Sequence, residues 1–261
     1  MKIIKALLMA AAPMLTLASC NTSYNTSGNT VKASKNYVTK EIKIEPYTHI
    51  KLTGSPDVVF SQKPGNPHLE IHTSDNIVDL LDIHVQGETL YIGFKKGVSV
   101  SYDKLNIRTS SPNLSQVTVT GSGTVEIADK LNAEELALQV TGSGDIFAKQ
   151  TSCKGCYLSV TGSGDISLQN LTTDAVQASV TGSGDITLQG NAQNALYEVT
   201  GSGDLSATEL RTQNVTAKVT GSGDIRCHAS EELKAHVTGS GDIGYKGNPT
   251  VHTAKKGVYK L

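Results

Sequence analysis

Apolar and polar residues alternate through the second half of this chain, and this pattern predicts β-strands rather than helices. In one stretch the apolar positions are Leu136, Leu138 and Val140. Equivalent sets follow at Cys156, Leu158 and Val160; Val176, Ala178 and Val180; Ala195, Tyr197 and Val199; Val215, Ala217 and Val219; Leu233, Ala235 and Val237. The intervening positions are predicted to face outward, and they include Gln139, Ser159, Ser179, Glu198, Lys218 and His236.

One phrase, Val-Thr-Gly-Ser-Gly, interrupts this alternation seven times. Its valines are Val119, Val140, Val160, Val180, Val199, Val219 and Val237, so successive copies lie 21, 20, 20, 19, 20 and 18 residues apart. A second alternating set follows each of the last six copies and begins at Ile146, Ile166, Ile186, Leu205, Ile225 and Ile243. A repeat of about 20 residues is typical of a solenoid whose coils stack on their neighbours, and each repeat is predicted to contain two strands.

The glycines of the phrase predict a tight corner between the two strands. Glycine adopts positive φ without strain, and the Asp that follows six copies can accept a hydrogen bond from a nearby amide. The predicted turn glycines are Gly121, Gly123, Gly142, Gly144, Gly162, Gly164, Gly182, Gly184, Gly201, Gly203, Gly221, Gly223, Gly239 and Gly241.

These features predict an all-β fold, a right-handed parallel β-helix of about seven coils, because parallel crossovers are nearly always right-handed. We assign the repeats to residues 119–246 and a C-terminal tail or cap to residues 247–261. Residues 36–118 are predicted to form an N-terminal antiparallel β cap region. Within it, Lys51-Leu52-Thr53-Gly54-Ser55-Pro56-Asp57-Val58 resembles a decayed copy of the phrase and is predicted to form a cap coil.

Longer strands are predicted in the remainder of the cap region. Their bounds are residues 57–62, 68–73, 81–86, 89–94 and 104–109, with a hairpin turn at residues 86–88 and a helical turn from Ser74 to Leu81.

The chain begins with a segment typical of an export signal. Lys2 and Lys5 precede an apolar run that ends in Leu-Ala-Ser-Cys, which is similar to a bacterial lipobox. Residues 1–19 are therefore predicted to be a lipoprotein signal peptide, Cys20 the lipidated residue, and residues 20–35 a flexible tether. This indicates a lipid-anchored protein of the bacterial cell envelope at the outer membrane, on either its surface or its periplasmic side.

Composition excludes one class of partner. Without residues 1–19 the chain has 21 basic and 24 acidic residues, a balance unlike the basic surface that nucleic acid requires. No cofactor is indicated.

Three cysteines remain besides Cys20. Cys153 and Cys156 have the spacing of a redox motif but lack the helix such motifs use, so a turn with one inward cysteine is favoured and a disulfide stays open. Cys227 is predicted to lie in the core.

A row of carboxylates is the strongest candidate for a metal site. Asp145, Asp165, Asp185, Asp204, Asp224 and Asp242 would lie about 4.8 Å apart, where calcium could relieve their repulsion. A solvated row that caps the turns is favoured over this calcium row. His68 and His72 are predicted to share one strand face, and a solvated face is favoured there over a metal pair.

The lipobox-like leader, the region from Asn36 through Ser111-Pro112-Asn113-Leu114 and the Thr-Gly-Ser-Gly-Asp coils resemble the putative auto-transporter adhesin, head GIN domain family. The resemblance covers about residues 36–246 as one domain, and Phe60-Ser61-Gln62 and Tyr91-Ile92-Gly93-Phe94 are similar to the family's N-terminal half. It implies a β-helix and an adhesin-like role, with no catalytic residues to transfer.

We therefore expect a non-catalytic binding module that holds an unknown protein or glycan through a repetitive polar surface, and the membrane through Cys20. A homo-oligomer stays open. The alternatives are a periplasmic envelope scaffold and a β-helical polysaccharide lyase or hydrolase. The enzyme is disfavoured because the chain has three arginines (Arg108, Arg211 and Arg226), no Trp and three Phe.

Overall fold

The computed structural model describes residues 30–253 and 256–261. The predictions for the signal peptide, Cys20 and most of the tether lie outside these residues. The described chain is nearly all β, and its stacked coils form a β-solenoid of about 7 turns, which confirms the predicted fold. No helix in the described ranges has the length and apolarity of a membrane span.

The N-terminal part of the chain contains nine strands and one short helix. These are β1 (Val31–Lys32), β2 (Tyr37–Ile42), β3 (His49–Gly54), β4 (Asp57–Gln62), β5 (His68–Ser74), α1 (Asp75–Val78), β6 (Leu81–Gln86), β7 (Thr89–Phe94), β8 (Val100–Ser101) and β9 (Leu105–Ser111). The five strands predicted from the sequence all occur, with ends that differ by at most two residues.

The repeats and the tail follow as eleven strands. These are β10 (Gln116–Gly121), β11 (Thr124–Asn132), β12 (Glu135–Gly142), β13 (Asp145–Gly162), β14 (Ile166–Gly182), β15 (Ile186–Gly201), β16 (Leu205–Gly221), β17 (Ile225–Gly239), β18 (Ile243–Lys246), β19 (Thr250–Thr253) and β20 (Val258–Lys260). From β13 to β17, each strand bends around most of a coil, from one glycine corner to the next.

Identical residues of successive repeats stack in register. Val140 pairs with Val160 and Val160 with Val180, all in parallel strands. The isoleucine column is continuous too, since Ile146 pairs with Ile166 and Ile166 with Ile186. These inward columns are buried and form one core along the solenoid.

Each coil has three short sides rather than the two that the sequence indicated. Apart from glycines, the buried residues of one coil are Ile146, Ala148, Thr151, Cys153, Cys156, Leu158 and Val160. Their period of two breaks after Ala148 and again after Cys153, and each break marks an extra corner. The two-strand interpretation was wrong because it treated both breaks as part of a single strand.

The decayed phrase forms the first coil of the solenoid. Gly54 pairs with Gly121 and Thr53 with Thr120, in the same register as later copies. On the adjacent side, Val58 of β4 pairs with Val125 of β11. The chain therefore builds one coil, leaves to form the cap with residues 63–115, and returns to stack its next coil on the first.

The cap is a mixed sheet rather than the antiparallel one predicted. β7 and β9 pair in parallel with β3 and β4, so they continue the stack below the first coil. β5 pairs antiparallel with β9, β2 with β5, and β6 with β7. Within this mixed sheet, the strands that lie directly on a coil pair in parallel, whereas β1 and β8 form a separate parallel pair.

The end of the predicted tether is held against this cap. β1 pairs with β8, and the Ser34 hydroxyl donates a hydrogen bond to the Asp75 carboxylate at 2.5 Å. Bonds from Ser34 and Asn36 hold the pKa of Asp75 below its usual value. At the opposite end, β19 and β20 stack on β17 and β18, so the tail adds a partial coil.

The two glycines of each phrase serve different purposes. The first has a φ between 118° and 127° in all seven copies, whereas the second has no positive φ. A Cβ on the second glycine, such as Gly164, would lie less than 3.0 Å from the Gly144 carbonyl oxygen of the preceding coil. The expectation that both glycines supply positive φ is therefore wrong for the second, which is required by close stacking.

Backbone hydrogen bonds explain this closeness. The Gly142 carbonyl accepts one bond from the Ser163 amide at 2.8 Å and another from the Gly164 amide at 3.0 Å. The same pair of bonds recurs at each later corner. In the first coil Pro56 replaces the second glycine, and its corner is contacted by the Tyr102 hydroxyl, which donates to the Ser55 carbonyl at 3.0 Å.

We predict that Gly164→Ala lowers the free energy of unfolding by at least about 2 kcal/mol, because its Cβ would separate two stacked corners. Urea unfolding followed by circular dichroism measures the loss. Ser163→Ala is the matched control, since this exposed side chain lies between the same glycines, and it should change stability by less than about 0.5 kcal/mol. Equal effects of the two variants would contradict the stacking role of Gly164.

Candidate binding surface

The glycine corner presents regular rows of polar side chains. The threonines of successive phrases are in register, as Thr141, Thr161 and Thr181 show, and most of them are exposed. The serine between the glycines is exposed in each copy. One ridge of the solenoid therefore consists of hydroxyl rows with the Asp row beside them.

The Asp carboxylates bind backbone amides of the next coil. The Asp165 amide donates to Asp145 Oδ1 at 3.0 Å. The bond recurs at 2.8–2.9 Å from the amides of Asp185, Asp204, Asp224 and Asp242 to the carboxylates of Asp165, Asp185, Asp204 and Asp224. The sequence predicted a bond within the turn, but the partner lies 18–20 residues further along the chain.

An exception at Thr124 shows what the carboxylate supplies. Thr124 occupies the Asp position in its phrase, and its amide still donates to Asp57 Oδ1 of the first coil at 3.0 Å. The Asp145 amide above it meets no carboxylate and donates instead to the Gly123 carbonyl at 3.2 Å. The Asp carboxylate thus gives the amide of the next coil a closer acceptor than the backbone carbonyl that replaces it.

This geometry leaves the Asp row without a converging set of ligands. Each carboxylate from Asp145 to Asp224 has one oxygen engaged by an amide, and Arg226 lies 3.0 Å from Asp224 and 3.9 Å from Asp204. In the described ranges, only one group of three His, Cys, Asp or Glu residues brings its ligand atoms within 4.8 Å of one another, and it contains no member of this row.

The side of each coil before the glycine corner carries the predicted outward residues. Gln139, Ser159, Ser179, Glu198, Lys218 and His236 pair in register along six coils. A second row lies two residues earlier, where Ala137, Tyr157 and Gln177 pair. We call these two rows together the contact face.

Tyr157 places an exposed aromatic ring on the contact face. Its side chain is 49% exposed, among the most exposed large apolar groups in the described chain. The negative charge of Glu135 raises the pKa of its phenol. Sequence reasoning missed this ring because it judged aromatic platforms from the count of Trp and Phe, although the alternation already indicated an outward Tyr157.

A polar groove of about 370 Å³ crosses several coils at another corner. Asp174, Gln193 and Gln213 lie along it, with Asn191 and Arg211 beside them, and Gln193 donates to Asp174 at 3.0 Å. A second groove of about 310 Å³ lies beside the exposed Phe147. The first groove was missed because its residues belong to a corner that the two-strand interpretation lacked.

The three described cysteines are buried and free. Cys153 was expected to face outward but points into the core, because it precedes one of the extra corners. The hydrogen bond with the Cys153 thiol and, after it, burial raise the pKa of Cys156, and burial raises the pKa of Cys227 to about 12. The hydrogen bond with Cys156 lowers the pKa of Cys153. Cys156 and Cys227 are packing groups, since a nucleophilic cysteine needs an accessible thiolate.

Sequence comparison assigns the chain to a family. The family model described as "Putative auto-transporter adhesin, head GIN domain" matches residues 46–249. The chain belongs to this family. The match confirms the family resemblance that the sequence motifs indicated. It begins at residue 46, ten residues after the predicted start of the domain.

Solved structures share the whole head GIN fold. A "putative adhesin" from Parabacteroides merdae ATCC 43184 is 31% identical, with a TM-score of 0.84 over 88% of this chain and 98% of its own. A "putative adhesin" from Parabacteroides distasonis ATCC 8503 is 29% identical, with a TM-score of 0.85 over 89% and 100%. A "putative lipid binding protein" from the same strain is 27% identical, with a TM-score of 0.84 over 88% and 99%. No curated protein matches the chain.

We predict that the Asp row of this head GIN domain acts through its acceptor oxygen. Asp185→Ala leaves the Asp204 amide without its 2.8 Å acceptor and should cost about 1 kcal/mol of unfolding free energy. Asp185→Asn keeps an oxygen at that position and should cost clearly less. Thermal and urea unfolding of both variants measure the difference, and an equal loss in the two would show that the negative charge matters instead.

Proposed function

We propose that this head GIN domain is a non-catalytic adhesin-like module that binds a protein or glycan through its contact face. The observation that carries the proposal is the in-register repetition of outward polar groups, each exposed or half-buried, along six coils, with the exposed Tyr157 ring beside them. The family description and the names of two similar structures support an adhesin-like role.

The proposed mechanism is additive contact along the solenoid. The stacked backbone fixes the spacing between neighbouring outward side chains at about 4.8 Å, so an extended ligand meets the same spacing in each coil. Individual polar contacts at an exposed surface are weak, and several sites engaged together bind much more tightly than one. Glu198 and Lys218 supply adjacent opposite charges, whereas Ser159 and Ser179 supply small hydroxyls.

We further propose that Cys20 carries a lipid that anchors the module to the outer membrane. The lipobox-like sequence supports this anchor, and the adhesin-like family supports a place in the cell envelope. An anchored module on the cell surface would bind external ligands. The same module on the periplasmic side would act as an envelope scaffold.

We predict that the double variant Glu198→Ala/Lys218→Ala reduces binding of protein-coated beads to host cells severalfold, with an unchanged melting temperature. The matched control is Glu209→Ala/Lys246→Ala, which removes an exposed pair 2.7 Å apart that lies outside the contact face. Binding is expected to be weaker for the Glu198→Ala/Lys218→Ala variant and unchanged for the control variant. Undiminished binding, or an equal reduction in the control, would place the interaction elsewhere on the solenoid.

We predict that protease treatment of intact cells removes the head GIN domain, as detected by an antibody against residues 36–261. A periplasmic protein of known location provides the control for membrane integrity. Persistence of the domain until the outer membrane is opened would contradict direct adhesion and favour the periplasmic scaffold. Replacing Cys20 with Ser should release the domain from the membrane fraction if the anchor is correct.

A further inference from the structure

Two glutamates and a histidine converge on the cap, on strands that do not form the contact face. Glu41 of β2 lies directly opposite Glu70 of β5 in their antiparallel pair. His68 lies two residues before Glu70 and so shares its strand face. One ligand atom from each of the three residues lies within 4.8 Å of the other two, and no other trio in residues 30–253 and 256–261 meets this condition.

The two glutamates form a like-charge pair that makes no ion pair with a Lys or Arg among the described residues. Carboxylates directly opposite each other destabilise an antiparallel pair. Arg108 is the cross-strand neighbour of Glu70 on β9, and Lys63 lines the adjoining groove. Among the described ion pairs, however, no Lys or Arg nitrogen lies within 4.0 Å of Glu41 or Glu70.

The donor set selects the type of ion. One imidazole nitrogen with two carboxylate oxygens suits zinc, which accepts His and Asp or Glu ligands at about 2.0–2.2 Å. Calcium prefers six to eight oxygen ligands and gains little from imidazole. Glu41 and His68 are exposed and Glu70 is half-buried, so water can reach a fourth position.

We propose that Glu41, His68 and Glu70 form a zinc site with water as the fourth ligand. His72 is not part of it, although the sequence placed His72 on the same face as His68. The His72 Nδ1 atom lies 2.9 Å from the Thr39 hydroxyl, and its ring stacks on Tyr37. These two contacts hold His72 beside Thr39 rather than within the group.

The position of the site gives the ion a structural consequence. β2 pairs only with β5 among the described strands, so it is held to the cap sheet along one edge. Glu41 belongs to β2, whereas His68 and Glu70 belong to β5, and a shared ion therefore fastens one strand to the other. An ion that binds only the folded state raises its stability in proportion to the logarithm of the ion concentration.

The test uses the purified full-length domain from residue 21, stripped with chelator and dialysed at pH 7.5. Calorimetric titration with zinc chloride is expected to give one ion per chain, and zinc is expected to raise the melting temperature. Glu41→Gln, His68→Gln and Glu70→Gln should each weaken zinc binding at least about tenfold. Glu45→Gln and His49→Gln are the controls, and both should bind like the unaltered protein.

Three outcomes would overturn the site. The first is the absence of a single zinc equivalent in the unaltered protein. The second is unchanged zinc affinity in the three ligand variants, which would place the ion elsewhere, for example on the cysteines. The third is equal stabilisation by calcium chloride, which would show general charge neutralisation rather than coordination by His68.

Discussion

Direct stacking of one glycine corner on the next is the constraint on which the rest of this solenoid depends. The first-glycine carbonyls from Gly142 to Gly221 each accept two amides of the following coil, at distances near 3 Å. This arrangement brings the two backbones so close that a side chain on either glycine would meet the preceding corner. The strand before the corner and the first residues after it are aligned with their equivalents in the next coil, and register shifts occur only farther from the corner. The apolar columns of the core and the polar rows of the surface both follow from it.

The repeat made most of the fold predictable from sequence. A period near 20 residues with glycine at fixed offsets identified the corner, the inward columns and the outward row from Gln139 to His236. The extra corners escaped prediction because their residues, such as Lys154, Asp174 and Gln193, differ between coils and leave no repeated signature. The approach of Glu41 to His68 and Glu70 was also missed. It depends on the register of β2 against β5, which occurs once and so leaves no pattern in the sequence.

Corner stacking also separates the residues of a coil into two groups: those that hold one coil against the next, and those that can vary between coils. Glycine and Asp are engaged in contacts between coils, and the Asp carboxylates satisfy amides that the turn would leave with a poorer acceptor. Five of the six carboxylates, from Asp145 to Asp224, have an oxygen committed to an amide of the next coil, and the row is not among the converging ligand groups of the described chain. The identity of the residues on the contact face is less constrained, since their side chains point away from the core and the backbone sets their spacing. Equivalent positions of different coils can therefore hold side chains that differ in size and charge, as Ser159, Glu198 and Lys218 do.

The first coil explains how a structure made of local repeats acquires a closed end. Coils from β13 onward contact neighbours about 20 residues away, so each can be added to the last at a small entropic cost. The first coil is joined to the second across the whole cap, and Asp57 accepts the amide of Thr124, 67 residues later. On its other side the first coil is covered by β7 and β9, which pair in parallel with β3 and β4. The cap therefore does more than cover an edge: its strands hold the first coil, and the second coil continues the register of the first.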